Sequence, residues 1–98
     1  MTTAWTEILG DLLEGLKIDL GISTTVYDSR LTTYLQSAYE AISEQGATLN
    51  SDSVRDRQLV IMYAAWTWRR RDSGEGMPRM IRYALNNRIF SEKMKGDS

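Results

Sequence analysis

Two pairs of carboxylates are the first groups of this sequence to consider for catalysis. Glu40 and Glu44 stand four residues apart, as do Asp52 and Asp56, and such pairs serve acid–base reactions when one member is buried and its pKa is raised. Glu40 and Glu44 fall outside the apolar face of their predicted helix, which favours a solvated position for both. Asp52 and Asp56 stand at a predicted helix start, where the helix dipole favours negative charge. The carboxylates therefore indicate helix structure and not a catalytic site.

Other groups that catalysis commonly uses are missing from the composition. The 98 residues include no histidine and no cysteine, so the chain offers no imidazole base, thiol nucleophile, disulfide or usual zinc site. The segment Gly74-Glu75-Gly76 lacks the lysine and the hydroxyl residue of a phosphate-binding loop. We therefore expect no enzymatic activity, no metal site and no cofactor.

An arginine cluster follows the most apolar part of the chain. Its members are Arg69, Arg70, Arg71, Arg79 and Arg82. The first three end a predicted helix, where cations complement the helix dipole, so a solvated helix end is one interpretation. Contact with nucleic acid or with an acidic protein surface is the other, and Arg79 and Arg82 share a helix face that could make it.

Arg88 and Trp68 occupy unusual positions on their predicted helices. Arg88 projects onto the middle of an apolar face, so it either extends past the helix end to water or pairs with a carboxylate of the acidic half. We favour the ion pair, within the chain or between subunits. Trp68 lies on one of two nearly opposite apolar faces of its helix, and a neighbouring subunit could cover that face.

Charge divides the chain into two unlike halves. Residues 1–50 carry two cations and seven anions, residues 51–98 carry ten cations and six anions, and the net charge is −1. The halves could neutralise each other within one fold, or the acidic surface of one subunit could meet the basic surface of the next. The small net charge argues against a histone-like coat of DNA.

Length and hydropathy favour a small globular domain. At 98 residues, 42% of them hydrophobic, the chain is expected to form one domain over residues 1–98. No run of about 18 apolar residues predicts a membrane span, and the start lacks the basic and apolar regions of a secretory signal. We expect an intracellular protein without a membrane partner.

Apolar residues at helical spacing predict an all-α fold, a compact bundle of about four helices. The predicted helices cover about 4–16, 26–45, 53–71 and 78–90, and a polar tail that is mobile on its own covers 91–98. The third helix is apolar on every side in its middle, so other helices or a neighbouring subunit should surround it. Met80 belongs to the predicted apolar face of the fourth helix.

Local signals mark the ends and flanks of these helices. Thr25 with Asp28 predicts an N-terminal capping pair, and so does the segment that begins at Ser53. Gly46 suits a helix stop. Gly10 and Gly15 flank the apolar stripe of the first helix, where they are either tolerated imperfections or places where another helix comes close.

Several segments together resemble one known family. The first half contains Leu13-x-x-Leu16-Lys17-x-x-Leu20-Gly21-Ile22, then Tyr27-Asp28-x-x-Leu31 and a helix with Ala38 and Ile42. The second half contains Met62-Tyr63-Ala64-Ala65-Trp66, an arginine-rich end, and Met77-Pro78-Arg79-Met80-x-Arg82-Tyr83-Ala84-Leu85-Asn86-Asn87-Arg88-Ile89-Phe90. Over about residues 13–90, the pattern resembles the head–tail connector proteins of long-tailed bacteriophages.

The resemblance implies a structural protein of the virion. Such connectors are small α-helical subunits that assemble as a homo-oligomeric ring under the portal vertex after genome packaging. The ring extends the channel for double-stranded DNA, without sequence specificity, and joins the portal protein to the stopper or tail-completion protein. The family has no enzymatic activity, and its members pass from the host cytoplasm to the head–tail interface. The arginine cluster would then face DNA or the portal, although acidic residues could line the channel instead.

A small helical nucleic-acid-binding regulator is the alternative, with the fourth helix as its reader. The net charge of −1 and the position of Arg88 on an apolar face argue against it. A helical chaperone or adaptor is a third interpretation that no residue excludes.

Overall fold

Five helices make up the fold. The computed structural model describes the backbone of residues 2–97 and the side chains of residues 5–94. The helices are α1 (Thr2–Glu7), α2 (Leu9–Leu20), α3 (Asp28–Glu44), α4 (Val54–Ser73) and α5 (Arg79–Asp97). No strand occurs within residues 2–97. The predicted all-α fold is confirmed, with four long helices and one short N-terminal helix.

The central helix of the bundle is α4. Its Val60 and Ala64 are fully buried, and Leu59 and Ala65 nearly so, because α2 and α3 pack against α4 and against each other while α5 packs mainly against α4. α2 and α5 therefore lie on different flanks of α4. Within the described chain, other helices surround most of the apolar middle of α4, as its sequence predicts.

The predicted first helix is two helices in the structure. The chain departs from helical geometry at Ile8, and α2 then continues to Leu20, four residues beyond the predicted end at 16. Gly21 ends α2 with a left-handed backbone, φ 73°, and its N–H bonds the carbonyl of Ile18. Gly21 is therefore the glycine that ends α2. Gly15 lies inside the helix and does not interrupt it.

The two glycines of α2 have different surroundings. A Cβ placed on Gly15 would lie 3.0 Å from Cδ1 of Ile61, whereas nothing lies within 4 Å of one placed on Gly10. α4 thus comes close to α2 at Gly15, as one of the two interpretations of that residue predicts. Gly10 leaves an open notch on the surface of α2.

Two of the predicted helix signals are confirmed and one is wrong. The hydroxyl of Ser53 accepts the backbone N–H of Asp56 at 3.2 Å and caps α4, and Gly46 follows α3 with φ 111°. The predicted pairing of Thr25 with Asp28 does not form, because the Asp28 carboxylate instead binds Nζ of Lys17 at 2.8 Å. This ion pair joins the end of α2 to the start of α3.

The predicted polar tail is mostly helix. α5 continues to Asp97, so the predicted end at 90 is wrong, and only Ser98 of the tail lies outside the described residues. An ion pair four residues apart, between Arg88 and Glu92 at 2.9 Å, supports this extension. The predicted apolar face of α5 is correct for Ile81 and Leu85, which are buried, but wrong for Met80, which is 72% exposed.

Antiparallel packing of successive long helices gives the bundle two distinct ends. At one end Tyr27 lies edge-on to Trp68, with 5.5 Å between ring centroids. We call this the arginine end and define it as residues 17–30 and 66–82. At the opposite end, residues 5–11, 40–58 and 88–94, the Trp5 ring lies 4.9 Å from that of Tyr39. The Trp5 Nε1–H also donates to the carbonyl of Leu49 at 3.3 Å, which anchors the N-terminal segment.

Candidate functional site

Three of the five clustered arginines are held by their own chain at the end of α4. Arg69 donates to the Asp19 carbonyl at 3.1 Å and lies 3.6 Å from the carboxylate of that residue. Arg71 stacks on Trp68, with 3.7 Å from the guanidinium carbon to the ring centroid, and donates to its carbonyl at 2.6 Å. Arg70 stacks on Trp66 at 4.9 Å. These contacts reduce the freedom of Arg69 and Arg71 to bind a partner.

Arg79 and Arg82 differ from the other three. Both are exposed in the first turn of α5, and neither forms an ion pair with a carboxylate of the described chain. Their positions three residues apart place them on neighbouring parts of one helix surface. They are therefore the members of the arginine cluster best placed to meet an external anionic group.

Trp68 lies in the core of its own chain. It is buried, with Tyr27 and Tyr34 edge-on at centroid distances of 5.5 and 5.4 Å and the Arg71 guanidinium over its ring. The sequence suggests Trp68 as a subunit contact, but residues of the same chain cover its ring. Its role in the structure is to hold the start of α3 against the end of α4.

Arg88 is the centre of a polar cluster between α4, α5 and the connection that precedes α4. Its Nε donates to Asp56 Oδ1 at 2.8 Å and its Nη1 to Glu92 Oε1 at 2.9 Å. Its Nη2 donates to the Thr48 carbonyl at 2.7 Å and lies 3.3 Å from Asp56 Oδ2. The Arg88 and Asp56 side chains are only 11% and 4% exposed. The predicted ion pair of Arg88 is thus present within the chain, but Asp56 belongs to the basic half of the sequence and not to the acidic half.

The two carboxylates of this cluster also fix the backbone. Asp56 Oδ2 accepts the Asn50 N–H at 2.8 Å, and Glu92 Oε1 accepts the Thr48 N–H at 3.2 Å. The hydrogen bond to Asp56 raises the pKa of Arg88 above its usual value, and Glu92 contributes in the same direction against the opposing effect of burial. Arg88 therefore keeps its charge at every physiological pH. The cluster ties three segments of the chain together.

The ends of the bundle carry opposite charge. The arginine end has seven cations and four anions, whereas the opposite end has four cations and seven anions. The excess of cations comes from the C-terminus of α4 and the start of α5. The excess of anions comes from α1, α2 and the end of α3, where Glu40 and Glu44 are exposed, as the sequence predicts for that pair. The two charged halves of the sequence are thus only partly neutralised by folding.

A groove of about 770 Å³ runs between α4 and α5. It is lined by Val54, Arg55, Asp56, Gln58, Leu59, Met62, Ala84, Asn87, Arg88 and Ser91. Val54 at the rim of the groove is 79% exposed. Arg88 and Asp56 at its floor form an ion pair with each other. The groove therefore offers mainly apolar contact area.

Sequence reasoning alone did not identify the partners of Arg88. The sequence pattern assigns Asp56 to the helix dipole and places Glu92 in the predicted mobile tail. The spacing of Arg88 and Glu92 is a signal that could have revealed one of these contacts. The contact between Arg88 and Asp56 joins residues 32 positions apart and requires the packing of α5 on α4.

The described residues contain no group of three or more acidic side chains arranged to hold a metal ion. No helix among them is long and apolar enough to cross a membrane. Comparisons with protein-family models, with curated proteins and with solved structures find no match to this chain. Function must therefore be inferred from the surfaces that the fold presents.

Proposed function

We propose that this chain is the subunit of a closed ring that joins two different protein surfaces along the ring axis, as a head–tail connector of a long-tailed bacteriophage does. The observation that carries the proposal is the opposite charge of the two ends of the bundle. A connector subunit needs unlike surfaces at its ends, because it contacts the portal on one side and the stopper or tail-completion protein on the other. The resemblance over residues 13–90 supports the same role.

The order of the helices also supports assembly into a ring. α2 and α5 lie on different flanks of α4, so each subunit presents two different lateral surfaces. Contacts between unlike surfaces produce rings when the rotation between copies closes. A structural role of this kind requires no catalytic group and no cofactor.

The arginines have separate roles in this proposal. Arg69 and Arg71 hold the arginine end together through the contacts to Asp19 and Trp68. Arg79 and Arg82, which are exposed, contribute positive charge toward a neighbouring protein or passing DNA. A channel that lets DNA pass needs weak contacts, so the proposal does not require Arg79 and Arg82 to bind DNA tightly.

Electron microscopy of the purified protein in negative stain tests the proposal. We expect closed rings of uniform diameter with an open centre. A field of particles without rings, combined with unbranched filaments or single subunits, would contradict it.

A nucleic-acid-binding regulator is the second candidate, because Arg79 and Arg82 are exposed without a carboxylate partner in the described chain. Titration of double-stranded DNA at several salt concentrations separates the two functions. The regulator should bind a specific sequence below micromolar Kd, with affinity that falls steeply as salt rises. The connector subunit should show no such binding at physiological salt. The variant Arg79→Glu/Arg82→Glu serves as the control for any affinity that is measured.

A further inference from the structure

The outward surface of α5 carries large apolar side chains that the described residues of the chain leave exposed. Met80, Tyr83, Phe90 and Met94 are between 58% and 72% exposed. Together with exposed Asn87 they follow one another at spacings of three and four residues, which is the spacing of a helix face that packs against another helix. We call these five residues the α5 seam. Four large apolar side chains that share one exposed stripe are a surface of the kind that marks a protein contact.

Cations flank the α5 seam. Arg79 stands beside its first half and Lys93 beside its second half, and both are exposed. Arg82, also exposed, lies further round α5, about 120° from the middle of the seam at 100° per residue. This distribution disfavours the pairing of two α5 helices in antiparallel orientation about Asn87, because Arg79 of one copy would lie near Lys93 of the other. The positive charges beside the α5 seam instead favour a partner helix with an acidic surface.

The outward surface of α2 has the matching properties. Asp11, Glu14 and Ile18 are exposed and fall within about 60° of one another on the helix, at the usual 100° per residue. Ile18 is 80% exposed, and Gly10 beside them leaves an open notch. We call Gly10, Asp11, Glu14 and Ile18 the α2 strip.

From these two surfaces we propose that the α5 seam of one copy binds the α2 strip of a second copy. α2 runs toward the arginine end and α5 runs away from it, so two copies placed side by side with their arginine ends together bring α2 and α5 into antiparallel contact. This contact specifies the lateral partner in the ring and so rests on the proposed function. Each copy keeps one free α5 seam and one free α2 strip, which lets further copies add.

One antiparallel register satisfies the side chains of both surfaces. If Ile18 lies opposite Met80, then Asp11 lies opposite Asn87, whose amide can donate to the carboxylate. Glu14 then lies two residues from Arg82, about 3 Å along the axis, and the long Arg82 side chain can reach round α5 toward the Glu14 carboxylate. In the same register Gly10 falls two residues from Phe90, so its notch can receive the aromatic ring.

Cysteine cross-linking tests this register, since the chain has no cysteine of its own. Single-cysteine variants Ile18→Cys and Met80→Cys are mixed in equal amounts and oxidised gently. We expect the mixed disulfide dimer to predominate over either homodimer. Gln36→Cys, at an exposed position on α3, is the matched control and should give little product with Met80→Cys. Equal yields with the control, a predominant Met80→Cys homodimer, or no cross-link at high protein concentration would overturn the inference.

Exchange of charges provides an independent test in solution. We expect Arg82→Glu to weaken association by about tenfold or more, because it brings two carboxylates together. Glu14→Arg should have the same effect alone and should restore association when combined with Arg82→Glu. Both positions are exposed, so circular dichroism should report an unchanged fold. A double variant no better than the single ones would overturn the inference.

The outcomes separate this inference from the proposed function. If closed rings form but Ile18→Cys and Met80→Cys do not cross-link, the proposed contact between the α5 seam and the α2 strip is wrong, and the connector proposal is unaffected. Cross-linking between Ile18 and Met80 in open chains, without rings, would support the contact and contradict the closed ring.

Discussion

At the scale of single residues, Arg88 determines how the C-terminal helix is attached. Its guanidinium binds Asp56 at 2.8 Å, Glu92 at 2.9 Å and the Thr48 carbonyl at 2.7 Å. The guanidinium is nearly buried, so each of its partners would lose a charged hydrogen bond if it were removed. The position of Arg88 on an apolar face was visible in the sequence, whereas its partners depend on the approach of α5 to α4.

We expect Arg88→Ala to lower the free energy of unfolding by about 3–5 kcal/mol, since it leaves the buried Asp56 carboxylate without a counter-charge. Arg82→Ala, on the exposed side of the same helix, should change it by about 0.5 kcal/mol or less. Urea denaturation of the two variants beside the parent measures both values. Equal stabilities for all three proteins would show that the cluster does not hold α5.

The two glycines of α2 provide a second test at the residue scale. Alanine should stabilise a helix by about 1 kcal/mol relative to glycine where space allows. Gly10→Ala meets nothing within 4 Å, but Gly15→Ala places its Cβ 3.0 Å from Ile61 Cδ1. Gly10→Ala should therefore be more stable than Gly15→Ala by about 1 kcal/mol, under conditions where the protein is monomeric. Urea denaturation measures both variants, and their midpoints can be compared directly if the two transitions have the same dependence on urea concentration. If Gly15→Ala were the more stable variant, the result would contradict the close packing of α2 on α4.

At the scale of elements, periodicity predicts most of the helices and misses two features. α3 and α4 begin and end within two residues of their predicted bounds, because their apolar faces and the Ser53 cap are local signals. The break at Ile8 has no such signal. The length of α5 was missed because residues 91–97 are mostly polar, and the ion pair of Glu92 with Arg88 depends on spacing that a composition-based assignment ignores.

The length of α5 is itself a prediction for solution measurements. We expect residues 91–94 to show helical carbon chemical shifts and slowed amide exchange, because α5 extends through them. The irregular segment at residues 23–25 serves as the reference for unprotected amides. Random-coil shifts over 91–94 would mean that α5 ends near Phe90, as the residue pattern alone predicts. Glu92→Ala should reduce the helical shifts if the ion pair supports the extension.

The candidate surfaces were only partly predictable at this scale. The arginine cluster was visible in the sequence, but Arg69 and Arg71 are held by Asp19 and Trp68 within the chain. The residue pattern does not predict the α5 seam, because it places Met80 on the buried face of the helix. Its exposure depends on how α5 is rotated against α4, which a single helical projection does not determine.

At the scale of the whole molecule, folding concentrates opposite charges at opposite ends and on opposite flanks. The arginine end is cationic and the other end anionic, while the α5 seam and the α2 strip lie on different helices beside α4. In the proposed ring, such a subunit binds copies of itself side by side and presents unlike surfaces above and below. This arrangement supports a connector more directly than a DNA reader, because the exposed cations are few and are interspersed with apolar side chains.

The central claim is that copies of this chain associate through unlike lateral surfaces into a closed assembly. Size-exclusion chromatography with light scattering, from low to high protein concentration, tests it most directly. We expect a discrete mass, an integer multiple of the 11.2 kDa subunit, that stops growing as concentration rises and decreases at high salt, where the charge pairs are screened. A mass of 11.2 kDa at every concentration, or one that grows without limit, would contradict the claim.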